Sequence, residues 1–71
     1  MFEEYQVVKL RRNLPEFNLP EGVLGTILLV YDPKPNLSQA YEVEFVDSQG
    51  KTLAQITVFQ EDIDVVKGLY E

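Results

Sequence analysis

The residues of this chain with chemical potential are mostly carboxylates. Glu42 and Glu44 stand two apart within Ala40-Tyr41-Glu42-Val43-Glu44-Phe45-Val46, a spacing that puts both side chains on one face of a β-strand. Paired carboxylates can perform acid–base hydrolysis or hold a cation. Acid–base work requires surroundings that separate the two pKa values, and the sequence places nothing apolar to do so. Solvated carboxylates on an open sheet face, keeping an edge soluble, are the expectation. Glu61, Asp62 and Asp64 crowd several oxygens into a short span. That span lacks the alternating ligands, glycine and closing glutamate of an EF-hand loop, so a solvated turn is expected and no metal site.

Hydroxyls occur at Thr26, Ser38, Ser48, Thr52 and Thr57, but the chain contains neither histidine nor cysteine. No hydroxyl then has an activating base at a recognisable spacing, and no thiolate nucleophile exists. Zinc sites of the Cys/His kind and the usual neutral-pH proton shuttle are missing as well. The chain reads as a non-enzyme, with no catalytic residue, no metal and no cofactor.

Binding is what remains. Phe17, Tyr31, Tyr41 and Phe59 could line a groove of the kind that takes an extended peptide, although so short a chain needs most of its aromatics for the core. Leu24, Leu29, Leu37 and Leu69 are apolar at turns, on an outward face or near a terminus, and would form a patch for a partner or a weak homodimer if they cluster. The candidate partner-binding surface is Phe17, Leu29, Tyr31 and Phe59, and the protein by itself is expected to be a monomer or a weak homodimer.

Twelve acidic residues against 6 basic give a net charge of −6, which repels phosphate backbones and anionic membranes. The only basic cluster, Lys9, Arg11 and Arg12, is too small to track a nucleic-acid strand and reads as a solvated loop edge. The expected partner is a protein. A basic one would be steered by the charge, as an immunity or antitoxin-like protein meets a basic toxin domain. A nucleic-acid-associated module, resting on those three cations and the Gly25-Thr26-Ile27 strand, is the alternative, and no membrane role is expected.

The elements that must position these residues are strands. Seventy-one residues leave room for one core and one domain, with a stability of roughly 4 to 10 kcal/mol. Tyr5 to Leu10 is a first strand with Val8 and Leu10 inward. Arg11 to Pro20, with Pro15 and Pro20, excludes a regular helix and makes a long loop, which Leu14, Phe17 and Leu19 fold back over the core. Glu21-Gly22 turns the chain. Thr26 to Tyr31 is apolar on both faces, as a central strand bending between two sheets would be, and Gly25 ahead of it permits a turn or a close approach. Asp32 to Gln39, with prolines at alternate positions, is an exposed loop and the most mobile segment.

Ala40 to Val46 alternates cleanly, with Tyr41, Val43 and Phe45 inward. Asp47-Ser48-Gln49-Gly50 has the chemistry of a type I turn closed by a left-handed glycine. It leads into Lys51 to Phe59, where Ala54, Ile56 and Val58 face the core. Gln60 to Ile63 reads as a 3₁₀ turn, with Ile63 plugging one end, before a last strand at Asp64 to Lys67. The order is that of an all-β, five-stranded SH3-like barrel with a long first loop and a 3₁₀ turn before the last strand.

Leu14-Pro15-Glu16, Gly22-Val23-Leu24-Gly25-Thr26-Ile27, Ala40-Tyr41-Glu42-Val43-Glu44-Phe45 and Asp47-Ser48-Gln49-Gly50-Lys51-Thr52 together resemble a family of small bacterial domains of unknown function. The resemblance covers most of the chain and implies a compact β protein without supplying an activity. Leu29 stands where that family usually carries a polar residue, which makes it a candidate contact point. The Gly22 to Val30 stretch is also similar to KOW and Tudor-type SH3-like modules, but their basic surface is missing here. Met1 to Tyr5 has no basic start or apolar run of a signal peptide, no segment is apolar enough to span a bilayer, and no disulfide is available. The expected location is the bacterial cytoplasm.

Overall fold

The computed structural model describes residues 1–66. Its strands are β1 (Val7–Leu10), β2 (Leu24–Val30), β3 (Ala40–Val46), β4 (Thr52–Phe59) and β5 (Ile63–Val65), with 3₁₀ turns at Pro15–Phe17 and Gln60–Asp62. All pair antiparallel in one sheet of order β4-β3-β2-β1-β5. The all-β class, the five strands, the long first loop and the 3₁₀ turn before the last strand agree with expectation. Closure does not: β4 and β5 are the two edges, and no pairing among the described residues joins them. The sheet is open along that seam.

Alternation decides which side chains meet. Tyr41, Val43 and Phe45 of β3 are buried, as are Val8 and Leu10 of β1, Ile27 of β2, Val58 of β4 and Ile63 of β5. Among the described residues no helical layer covers this face, and the β1–β2 loop does. It does so through Leu14 and Leu19, which form a short β-bridge and join the core. A 3₁₀ turn between them, opened by Pro15 and closed by Asn18 at φ 55°, folds the loop back. Proline suits a first helical position and asparagine tolerates left-handed backbone.

The Asp47–Gly50 turn forms as its residues require. Gly50 stands at φ 83°, its N–H donates to the Asp47 carbonyl at 3.0 Å, and the Asp47 carboxylate accepts from the N–H groups of Gln49 and Lys51. The β2 run, apolar on both faces, has its cause in a bulge: Ile27 pairs with Val43 but Leu29 pairs with Glu42, leaving Leu28 unopposed. Leu29 is thereby turned to the outer face and Val30 back to the inner one.

Several expectations need correction. The first strand begins at Val7 because the chain turns at Tyr5, which stands at φ 66°. The last strand begins at Ile63, not Asp64; Lys67, expected to end it, and Leu69 lie outside the described residues. Asp62 is not solvated. It is 4% exposed, accepts from the Phe59 N–H at 3.0 Å, and accepts from Arg12 Nε at 2.7 Å. Arg12 stays mostly exposed, as a solvated loop edge does, and is also engaged by Asp62. Its hydrogen bond to Asp62 and the charge of that carboxylate hold its pKa above the ordinary arginine value. The pair ties the long first loop to the 3₁₀ turn ahead of β5.

Candidate functional site

The outer face of the sheet carries the candidate site. The Tyr31 N–H donates to the Ala40 carbonyl at 3.2 Å, and Ala40 pairs with Phe59. Tyr31, Ala40 and Phe59 therefore lie in a row across three strands, with the small alanine between two rings. The loop from Asp32 to Ser38 forms the facing wall. Its turn is closed by a Leu37 N–H to Lys34 carbonyl bond, with Asn36 at φ 63°. Its end is tied down where Ser38 Oγ donates to Glu61 Oε1 at 3.1 Å and Gln39 Nε2 to the Tyr31 carbonyl at 2.6 Å. The result is a groove of about 250 Å³, lined by Tyr31, Asp32, Lys34, Leu37, Ser38, Ala40, Thr57 and Phe59.

Glu42 stands at its margin. Tyr31 Oη and Thr57 Oγ1 donate to Glu42 Oε1 at 3.2 and 3.0 Å, and Gln55 Nε2 donates to Oε2 at 3.3 Å. Three neutral donors orient this carboxylate, while the one ion pair among the described residues is Arg12 with Asp62. Its negative charge therefore faces outward unneutralised by a bonded cation. Glu44, its strand neighbour, accepts from Thr52 Oγ1.

The four residues of the expected partner surface are distributed as follows. Tyr31 and Phe59 are half-exposed and share the groove. Leu29 is on the same face, opposite Glu42, but does not line it. Phe17 is exposed on the 3₁₀ turn of the first loop and lines no part of the groove. Tyr41 belongs to the core, fully buried, with its ring centroid 5.6 Å from that of Phe2. Its hydroxyl accepts from the Phe2 N–H at 3.0 Å and donates to Gln60. Sequence reasoning missed Leu53, which with Leu24 and Val46 lines an apolar cleft toward the Asp47–Gly50 turn. The alternation of Ala54, Ile56 and Val58 already put Leu53 outside that inward series. Among the described residues no three carboxylates converge as a metal site, and no helix is long and apolar enough to cross a membrane.

A family model described as "Domain of unknown function (DUF4926)" matches residues 4–65. The chain belongs to that family. The match covers every strand of the DUF4926 sheet, the bulge at Leu28 and the groove at Tyr31 and Phe59. Neither the comparison with curated proteins nor that with solved structures returned a match.

Proposed function

We propose that this DUF4926 domain is a non-catalytic protein-interaction module that docks a basic protein partner on the outer face of its sheet. The observation that carries the reading is the groove between Tyr31 and Phe59 with Glu42 held at its margin. Two half-exposed rings supply apolar contact, and an oriented carboxylate selects a cation beside it. The excess of acidic residues would speed the encounter with a basic partner. A narrower form of the reading is an immunity or antitoxin-like role against a basic toxin domain. The strand order, long first loop and 3₁₀ turn support an SH3-like character for the module, with the seam between β4 and β5 left open. Nucleic-acid binding is disfavoured, because Arg12, one of three clustered cations, is engaged by Asp62.

The test is affinity capture from extract of the source cells with the wild-type chain and a Tyr31→Ser/Phe59→Ser double variant. A basic protein recovered by the wild type, released by salt and lost with the variant supports the reading. An acidic partner, or recovery that the variant leaves unchanged, refutes it. RNA binding at low salt with a steep salt slope would put the nucleic-acid module in its place.

A further inference from the structure

Among the described residues, the bonding pattern of β4 leaves one stretch of backbone unused. In an antiparallel sheet each residue turns its N–H and C=O to the same side, and successive residues alternate. Ala40 turns toward β2, since its carbonyl accepts from Tyr31, so Tyr41, Val43 and Phe45 turn toward β4. Their partners there are Val58, Ile56 and Ala54. Gln55 and Thr57 must then direct their N–H and C=O groups away from the sheet. Two neighbours agree with this phase: the Phe59 N–H is taken by the Asp62 carboxylate, and the Gln60 N–H turns back to the Gln39 carbonyl.

This edge differs from one guarded against pairing. β4 is eight residues long and contains no charge and no proline, the devices that usually blunt an edge strand. The core beneath it is also incompletely covered. Ala54 and Ile56 are only partly buried, whereas Tyr41, Val43 and Phe45 on the same face of β3 are fully buried. On the outer face, Gln55 and Thr57 both donate to Glu42.

We propose that an extended segment of a basic partner adds to β4 as a sixth strand, bonding to the backbone of Gln55 and Thr57. Its inward side chains are apolar and cover Ala54 and Ile56. Its outward side chains are Lys or Arg and reach across Thr57 toward Glu42, a span of about two strand spacings, roughly 10 Å, that both long side chains can bridge together. Charge selects this occupant over a second copy of the chain, which would bring two acidic outer faces side by side. The inference rests on the proposed partner-docking role and specifies how the partner's backbone is held.

The test uses the full chain and a synthetic peptide, Lys-Val-Arg-Val-Lys-Val-Arg, followed by amide NMR and hydrogen exchange. Binding should slow exchange at the Gln55 and Thr57 amides by about tenfold or more, and Glu42→Gln should weaken it severalfold. Methylating the alternate set of peptide nitrogens that faces β4 should abolish it, and so should Gln55→Pro, which sits where no backbone bond to β3 is lost. The methylated peptide settles the matter even if that variant misfolds. Replacing the Lys and Arg residues with Glu should also abolish binding. No response to the basic peptide, or a response that survives methylation, overturns the proposal. Shifts confined to Tyr31, Leu37 and Phe59 would overturn edge addition while leaving the groove reading intact. Concentration-dependent protection of Gln55 and Thr57 without peptide would overturn it in favour of a second copy.

Discussion

Gly25 offers the sharpest test of how tightly the sheet is built. It is buried on β2, paired with Val8 on one side and Phe45 on the other. A Cβ placed there would lie 2.7 Å from Val43 Cγ1, 2.8 Å from Phe45 Cδ1 and 2.9 Å from the Glu44 carbonyl oxygen. Two of these neighbours are fully buried core side chains and the third is backbone, so Gly25→Ala has to move β3. Overpacking of this kind costs about 1 to 3 kcal/mol, and a backbone neighbour puts this site at the upper end. With a urea dependence of about 1 kcal/mol per molar, the unfolding midpoint should fall by about 2 to 3 M.

The control is Gly50→Ala. Gly50 has open space around it but stands at φ 83°, so its cost is conformational alone, about 1 kcal/mol. Gly25→Ala should therefore lower the midpoint two- to threefold more than Gly50→Ala. In a Val43→Ala background one of the three clashes disappears, and the penalty of Gly25→Ala should drop by about 1 kcal/mol, leaving the Phe45 and Glu44 contacts. Equal midpoints for the two glycine variants, or no coupling to Val43, would refute the claim that β2 and β3 meet this closely.

Asp62→Ala leaves the Phe59 N–H unbonded and should cost about 1 to 3 kcal/mol, whereas Asp62→Asn keeps an acceptor and should fall between it and wild type in urea melts. Tyr41→Phe removes the acceptor of the Phe2 N–H and the donor to Gln60; it should cost about 1 to 2 kcal/mol and speed exchange of the Phe2 amide. Phe17→Ser and Leu29→Thr, both at exposed positions outside the groove, should change stability by less than about 0.5 kcal/mol. Partner capture should survive each of them and be lost with Tyr31→Ser/Phe59→Ser.

The parts of the fold legible in the sequence are those where one local rule acts alone. β3 declares itself by strict alternation, and Asp47 to Gly50 by turn chemistry, so the β3–β4 hairpin is readable without long-range information. Gly25 ahead of the apolar Thr26–Tyr31 run signals a turn or a close approach, and the structure puts it inside β2 against β3. Asp62 was not legible. Its burial depends on Arg12, fifty residues away, and on the extended backbone of Phe59, and neither leaves a mark in the local spacing of acidic residues. The open seam was equally hidden, since element order says which strands follow one another and not whether the last ladder closes.

The candidate site was half legible for a reason that lies in the bulge. The run Ile27-Leu28-Leu29-Val30-Tyr31 gives no parity by composition, because nearly every residue is apolar. The structure resolves the ambiguity by leaving Leu28 unopposed, so that Ile27 and Val30 face inward while Leu29 turns outward. Tyr31 follows Leu29 to the outer face, where its hydroxyl reaches Glu42 and its ring shares a groove with Phe59. Had the ladder run unbroken from Ile27, Tyr31 would have entered the core and the outer face would have kept its carboxylates without an aromatic beside them. One extra residue in β2 thus joins an apolar groove to an acidic surface, and that juxtaposition is what a basic, partly apolar partner would recognise.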